Sequence, residues 1–144
     1  MPSSSSDRMR ILIADDNKYI RDKVVQLLGV HFDVIGTASD GIGAVEAAKL
    51  LSPEIIVMDI SMPGLSGIEA MTQIKDSQKE IKVVFLTVHD DLDFVRASLE
   101  AGGSGYVVKS RLASDLLAAI KRASEGQVFI SPCVAISGES TELL

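Results

Sequence analysis

The sequence has one cysteine, no tryptophan and few aromatic residues. Cys133 is the only cysteine in 144 residues, so an internal disulfide is impossible and an iron–sulfur cluster would lack ligands. This usage fits a reducing, cytoplasmic compartment. Because aromatic residues make up only 4% of the chain, we expect a core built mainly from aliphatic side chains and alanine.

Long apolar runs and an excess of positive charge are also absent. No apolar run approaches the about 18 residues that are needed to span a bilayer. Residues 1–8 are rich in serine and lack the apolar stretch of a secretion signal, so we interpret them as a flexible tail. The net charge of −6 leaves no basic surface for nucleic acid or for an anionic membrane. We therefore expect this segment to bind neither directly.

Short apolar runs alternate with helical patterns along the chain. A short apolar run between turn residues is typical of a buried strand, and apolar residues spaced three or four apart indicate a helix face. The predicted strands are residues 10–14, 32–38, 55–59, 81–87 and 106–108, each followed by a predicted helix. This alternation predicts an α/β fold with a five-stranded parallel sheet and five helices on its two faces.

Polar residues stand at the carboxyl ends of four of the five predicted strands. The residues at these ends are Asp15 with Asp16, then Asp59, Thr87 and Lys109. Right-handed crossovers place the carboxyl ends of parallel strands at one edge of the sheet, where α/β proteins bind their ligands. The sequence therefore predicts that carboxylates, a hydroxyl and an ammonium converge on one rim.

This combination suits phosphoryl chemistry. Clustered carboxylates repel one another unless a cation neutralises them, and oxygen ligands without histidine or cysteine favour Mg²⁺, with Mn²⁺ or Ca²⁺ as alternatives. A lysine and a threonine opposite the metal could balance the oxygens of a phosphoryl group in transfer. Asp59 is then the candidate nucleophile, forming an aspartyl-phosphate without a general base.

Each of these residues also has an ordinary structural explanation. Asp16 or Asn17 could simply cap the first helix, and Thr87 could be a β-branched residue that finishes its strand. Lys109 could be a surface charge and Tyr106 a packing aromatic. Separate explanations at every strand end are less economical than one shared site, so the shared site is favoured.

Several segments of the chain, taken in order, resemble the receiver domains of bacterial two-component response regulators. The segments are Ile11-Leu12-Ile13-Ala14-Asp15-Asp16-Asn17, Val57-Met58-Asp59-Ile60-Ser61-Met62-Pro63-Gly64, Phe85-Leu86-Thr87 and Gly105-Tyr106-Val107-Val108-Lys109. The resemblance covers residues 9–126. It implies a flavodoxin-like, doubly wound sheet with strand order 2-1-3-4-5.

The resemblance also implies a role for each residue of the metal site. Asp59 would accept a phosphoryl group from a phosphohistidine of a sensor histidine kinase. Asp16 and Asp59 would bind Mg²⁺ directly, as would the backbone carbonyl of Ser61, whereas Asp15 would act through a metal-bound water. Mn²⁺ could replace Mg²⁺.

The resemblance assigns further residues to phosphate binding and switching. Thr87 and Lys109 would hold the phosphoryl oxygens. On phosphorylation Thr87 would move toward the phosphate, and Tyr106 would turn inward into the space that it leaves. Such a protein is a phosphoacceptor that catalyses its own phosphorylation and dephosphorylation, not an enzyme with a separate substrate.

The chain departs from the family pattern near Thr87 and Lys109. Val88 stands where the family usually has a small residue, so its bulk is expected to narrow access to the site. His89 and Ser61, each two residues beyond a site residue, occupy positions that tune dephosphorylation in this family. Lys109 is followed by Ser110 and not by proline, which leaves open whether that peptide bond is cis.

The closing residues resemble the subfamily that carries a LuxR-type helix-turn-helix output domain. The segments concerned are Asp115 to Ile120, Gly126 and Ile130-Ser131-Pro132. We interpret residues 127–144 as a linker or tail, and we expect a receiver domain excised from a DNA-binding transcription regulator. A stand-alone receiver that acts by protein contact is the alternative, and self-association through the last helices stays open.

Two functions of other classes compete with the phosphorylated switch. A phosphatase that passes phosphate from Asp59 to water would commonly carry a second acid two residues later, and that position is Ser61. A flavodoxin-like binding module would need a phosphate-cradling loop after the first strand, but Asp15 and Asp16 would repel a phosphate there.

Overall fold

A parallel sheet forms the centre of the structure, a computed structural model that describes residues 8–88 and 92–131. Its six strands lie in the order β2-β1-β3-β4-β5-β6. The strands are β1 (Arg10–Ala14), β2 (Asp33–Ala38), β3 (Ile55–Asp59), β4 (Lys82–Thr87), β5 (Gly105–Val108) and β6 (Phe129–Ile130). The helices are α1 (Lys18–Gly29), α2 (Gly41–Leu51), α3 (Gly67–Ser77), α4 (Leu92–Glu100) and α5 (Leu112–Ser124).

The central strands are buried on both faces, which explains their continuous apolar sequences. Successive side chains of a strand point to opposite sides of the sheet. On one side, Val57 and Leu86 pack in a cluster that includes residues of α1 and α5. On the other side, Met58 and Phe85 pack in a cluster that includes residues of α2 and α3. All residues of β3 are buried, so this strand delivers Asp59 from the middle of the core.

Side chains cap the starts of the first three helices. The Asn17 side chain accepts a hydrogen bond from the Ile20 amide, so Asn17 and not Asp16 caps α1. Ser66 and Glu69 form a capping box at the start of α3. The predicted cap of α4 by Asp90 or Asp91 lies outside the described residues. Within 8–88 and 92–131, no helix is long and apolar enough to cross a membrane.

The prediction of five strands was wrong, because the sheet has a sixth. Phe129 and Ile130 pair in parallel with Gly105 and Tyr106 at the edge of the sheet. A two-residue strand is too short to show the alternation by which strands are recognised in a sequence. Gly126, with φ of 80°, follows α5 and turns the chain back toward β5. The segment 127–144, interpreted as a linker or tail, thus begins with residues that belong to the sheet.

Candidate functional site

The ends of β1 and β3 bring two carboxylates together. Ala14, the last residue of β1, is paired with Met58 of β3, so Asp15 and Asp59 both emerge at the same edge. Asp15 is fully buried and Asp59 is 4% exposed. Directly beyond Asp59, the start of α3 lies against the strand end, because the Gly67 amide donates to the Ile60 carbonyl at 2.7 Å. The predicted convergence of these strand ends is therefore present in the described structure.

Asp16 completes a cluster of carboxylates with Asp15 and Asp59. One carboxylate oxygen of each residue lies within 4.8 Å of the others. Asp16 is exposed, whereas the other two are buried. The cluster therefore has one ligand facing solvent, where a hydrated cation could enter, and two held inside the crevice.

Lys109 is the counter-charge of the two buried carboxylates. Its Nζ lies 3.0 Å from Asp15 Oδ2 and 3.1 Å from Asp59 Oδ2, and the lysine side chain is only 12% exposed. The contact with Asp59 is a hydrogen bond. The contact with Asp15 is an ion pair, since Asp15 Oδ2 has no hydrogen bond of good geometry. A snorkelling surface lysine would not be held in this way, so the ordinary explanation of Lys109 fails.

Burial and neighbouring charges shift the pKa values of Asp59 and Lys109. Burial first, and then the nearby Asp15 carboxylate, raise the pKa of Asp59 to about 6 against the opposing effects of Lys109 and the Ser61 amide. Burial lowers the pKa of the Lys109 ammonium, but the facing Asp15 and Asp59 outweigh burial, so the pKa is raised. Asp59 is thus mostly ionised at neutral pH while Lys109 stays charged.

Arg21 is a site residue that sequence reasoning missed. Its Nη1 donates to the backbone carbonyl of Asp15 at 2.7 Å, while the Asn17 amide donates to Asp15 Oδ1 at 2.9 Å. Together these bonds fix the backbone and the side chain of Asp15. An arginine on a charged helix gave no sequence signal, because only tertiary packing shows which helical side chain reaches the strand end.

Thr87, Tyr106 and Ser61 also occupy the rim. Thr87, the last residue of β4, is 1% exposed, and Tyr106 on β5 is fully buried. Tyr106 therefore already lies inward in this structure. Ser61 donates its amide to Asp59 Oδ1 at 3.1 Å, which orients the carboxylate.

Of the three residues expected to tune the site, the structure describes Val88 and Ser61. Val88 is 70% exposed, and its effect on access to Asp59 stays a prediction. His89 lies outside the described residues. The Lys109–Ser110 peptide is trans, since the described residues contain no cis peptide bond.

The donor set fits a hard divalent cation. Its ligands are carboxylate oxygens with neither histidine nor cysteine, which favours Mg²⁺ over Zn²⁺. The raised pKa of Asp59 has the neighbouring Asp15 carboxylate among its causes, and this repulsion is what a cation would relieve. A single ammonium facing two buried carboxylates leaves negative charge in the crevice that a metal could balance.

Comparison with known proteins identifies the family. The model of the response regulator receiver domain matches residues 11–121. The transcriptional regulatory protein DegU of Brevibacillus brevis is 34% identical over 132 residues, covering 90% of this chain and 56% of that protein. The response regulator GacA of Pseudomonas aeruginosa is 33% identical over 129 residues, covering 88% of this chain and 60% of that protein. The chain thus spans less than two thirds of the length of these relatives.

Solved structures agree with this assignment. A LuxR-family two-component response regulator from Aurantimonas sp. SI85-9A1 superimposes with a TM-score of 0.88 at 29% identity, covering 95% of this chain and 99% of that chain. The receiver domain of the putative regulator NarL from Mycobacterium tuberculosis has a TM-score of 0.79 at 25% identity, covering 83% of this chain and 98% of that chain. The protein belongs to the response regulator receiver domain family of two-component systems.

Proposed function

We propose that this domain is a phosphorylatable switch in which Asp59 receives a phosphoryl group from the phosphohistidine of a sensor kinase. The observation that carries the proposal is the position of Lys109, whose mostly buried ammonium lies 3.0 Å from Asp15 and 3.1 Å from Asp59. A positive charge fixed there faces the oxygens of a phosphoryl group attached to Asp59.

The reaction uses groups that are already in place. An Asp59 carboxylate oxygen attacks phosphorus, the P–N bond breaks, and its electron pair stays on the histidine nitrogen of the donor. No general base is needed, because a carboxyl with a pKa of about 6 is largely ionised at neutral pH. The Ser61 amide holds one oxygen of Asp59 at 3.1 Å. Thr87 and Lys109 are proposed to bind the transferred oxygens.

Asp16 and Asp59 would hold Mg²⁺, with the Ser61 carbonyl as a further ligand and Asp15 acting through a water; Mn²⁺ would also fit. A bound cation would neutralise the carboxylates and screen the charge of the incoming phosphoryl group. The exposed Asp16 suits a metal that keeps several of its waters.

Thr87 and Tyr106 are the proposed switch. Thr87 ends β4 beside Val108 of β5, so a shift of Thr87 toward the phosphate would change the packing of β5. Tyr106 is already buried, which is the position that the resemblance assigns to the phosphorylated form. The two forms are conformations in equilibrium. Phosphorylation shifts this equilibrium only through contacts that differ between the two conformations.

The proposed partners extend beyond this chain. A sensor histidine kinase would supply phosphate in the cytoplasm, and a second copy of the domain is a candidate partner. DegU of Brevibacillus brevis is by name a transcriptional regulatory protein, so control of transcription through a DNA-binding output domain is the output that we propose here. A stand-alone receiver that acts by protein contact is the alternative. The domain would be a phosphoacceptor and not an enzyme with a separate substrate.

The test is phosphorylation by a small phosphodonor. The protein is incubated with Mg²⁺ and acetyl phosphate, and its intact mass and modified residue are determined. We expect one base-labile phosphoryl group on Asp59 and none in Asp59→Asn or without divalent metal. No adduct on the wild type, or the same adduct on Asp59→Asn, would contradict the proposal. Rapid turnover of acetyl phosphate without a lasting adduct would favour the phosphatase.

The same experiment includes a variant that tests the switch. Thr87→Ala should still be phosphorylated, but the NMR signals of Tyr106 should not change on phosphorylation as they do in the wild type. A normal Tyr106 response without the hydroxyl would show that Thr87 does not transmit the change.

A further inference from the structure

Ser131 is a fully buried residue that the proposed reaction does not use. Its hydroxyl donates to Asp115 Oδ2 at 2.8 Å and accepts a hydrogen bond from the Val108 amide at 3.1 Å. Its own amide donates to the Tyr106 carbonyl at 2.9 Å. A single serine, just beyond β6, thereby joins two residues of β5 to one residue of α5.

Asp115 is the charged member of this group. It lies in the first turn of α5 and is 4% exposed. Arg111 donates to both of its carboxylate oxygens, from Nε at 2.8 Å and from Nη2 at 3.3 Å. A buried carboxylate is tolerated only when its oxygens are paired in this way. Because Asp115 is buried, solubility does not account for its charge.

The end of β6 explains why the hydroxyl of Ser131 is needed. In a parallel ladder, the carbonyl of Tyr106 and the amide of Val108 face the same neighbouring strand. The paired part of β6 ends at Ile130, so the ladder offers Val108 no further backbone partner there. Ser131 Oγ takes the place of that backbone carbonyl. The last amide of β5 is therefore satisfied by a side chain from outside the part of the chain that the family model matches.

Lys109 lies between the two anchored residues. Val108, immediately before it, is held by Ser131, and Arg111, which closes the 3₁₀ turn Lys109–Arg111, is held by Asp115. The long lysine side chain must reach two carboxylates from a backbone that is fixed on both sides. Its reach depends on where that backbone lies, because a small displacement at the root of the side chain moves the ammonium at its tip.

We propose that Ser131 and Asp115 are positioning residues for Lys109. By fixing the end of β5 and the turn after it, they place the ammonium against Asp15 and Asp59, and they make residues beyond α5 part of the phosphorylation site. This inference rests on the proposed function, since it assigns these residues to the reaction at Asp59. A misplacement of about 1 Å at a reacting group is enough to slow a reaction up to about a hundredfold.

The kinetic test compares Ser131→Ala and Asp115→Asn with Ser124→Ala as the matched control. Ser124 is the exposed last residue of α5, and its hydroxyl donates to the Lys121 carbonyl at 2.6 Å. At saturating Mg²⁺, we expect phosphorylation by acetyl phosphate to slow by at least about fivefold in the first two variants and to be unchanged in the control. The half-saturating Mg²⁺ concentration should stay the same or fall, because the metal carboxylates follow β1 and β3 while a displaced ammonium repels the cation less.

Two outcomes would overturn the proposal. One is a maximal rate in both variants equal to that of Ser124→Ala. The other is a loss of rate with a matching rise in the half-saturating Mg²⁺ concentration, since that would indicate general loosening of the site. If Ser131→Ala does not fold, the nearly isosteric Asp115→Asn decides between these outcomes alone.

A measurement without phosphate separates this proposal from the proposed function. The side-chain ¹⁵N signal of the Lys109 ammonium, which is shielded between two carboxylates, should be visible in the wild type and in Ser124→Ala. We expect it to shift or broaden in Ser131→Ala and in Asp115→Asn. An unchanged signal would overturn the positioning role even if Asp59 is phosphorylated normally. If the wild type takes no phosphate, the proposed function fails, and this signal still reports whether Ser131 and Asp115 position Lys109.

Discussion

Asp59 is a carboxylate that the fold buries against another carboxylate. Lys109 and the Ser61 amide offset part of the free-energy cost of ionising Asp59 at this position. Burial first, and Asp15 second, still raise the pKa of Asp59 to about 6. A group with a higher pKa in the folded state binds protons on folding. Ionised Asp59 therefore destabilises the fold, an effect absent below the unfolded pKa near 3.8 and fully present above about 6. The proposed reaction would account for this unfavourable charge, because a nucleophile must be ionised to react.

At the residue scale, we predict that Asp59→Asn stabilises the metal-free protein at pH 7.5. The gain in unfolding free energy should be about 1–2 kcal/mol, allowing for screening of a partly solvated group. It should nearly disappear near pH 3, below the unfolded pKa of 3.8, where Asp59 is mostly neutral in both folded and unfolded chains. Urea unfolding at the two pH values measures it. A variant less stable than the wild type at pH 7.5 would show that Lys109 more than compensates for burial.

The connection from β3 to α3 holds the loop beyond Asp59 in place. Gly67 begins α3, and a Cβ built on it would meet the Asp59 carbonyl oxygen and the Ile60 backbone more closely than real Cβ atoms come. Only glycine allows the helix to approach the strand end in this way. Ser66 and Glu69 cap the helix at the same point. The loop that contains Ser61 is thus clamped by one close contact and one capping box.

At the element scale, we predict that Gly67→Ala destabilises the protein by about 2–3 kcal/mol, because overpacked backbone must shift. Since the atoms that must shift belong to Asp59 and Ile60, phosphorylation at Asp59 should slow as well. Thermal unfolding and the acetyl phosphate assay measure the two effects.

Gly29→Ala is the control for this prediction. A Cβ at Gly29 would meet nothing within 4 Å, and Gly29 is the last residue of α1. We expect this variant to be neutral or stabilised by up to about 1 kcal/mol. Equal stability of Gly67→Ala and Gly29→Ala would refute the close-contact explanation.

Across the whole molecule, two apolar clusters on opposite faces of one sheet form the core, and the polar rim lies at a single edge. The chain enters the sheet at β1 and, in its described part, completes the sheet at β6, two residues long. Pairing of β6 with β5 alone would be weak, because short edge strands contribute little. The buried bonds of Ser131 to Asp115 and Val108 reinforce that edge.

At the scale of the molecule, we predict that Asp115→Asn costs about 1–2 kcal/mol of stability at pH 7, the loss expected for weakened charge-assisted hydrogen bonds. Burial raises the pKa of Asp115, but Arg111, Ser131 and Ser114 together lower it below its usual value. Its contribution is therefore complete above pH 3.8 and is lost as the pH falls through the lowered pKa.

The measurement is urea unfolding of wild type and Asp115→Asn at pH 7 and near pH 3, with Asp76→Asn as a control on an exposed acid of α3. The difference between wild type and Asp115→Asn should shrink at the lower pH. A difference that does not depend on pH would show that packing, and not charge, makes Asp115 important.

Much of the site could be predicted because its residues follow strands that local sequence defines. Asp15, Asp59, Thr87 and Lys109 each come directly after an apolar run, and parallel strands bring such positions to one edge. The sixth strand could not be predicted, because Phe129–Ile130 is too short to carry a period. Arg21 and Ser131 could not be predicted as site residues either, since their partners are distant in the chain and nothing local distinguishes them from surface side chains.

The sequence by itself determined the alternation of strands and helices, the burial of β3 and the set of polar residues that meet at the rim, because hydrophobic period and strand ends are local properties. Only the tertiary structure decided that Asn17 caps α1 and leaves Asp16 to solvent, that one ammonium lies between Asp15 and Asp59, and that Ser131 completes β5. Distances between residues far apart in the chain depend on how all the layers pack together, and packing has no local signature.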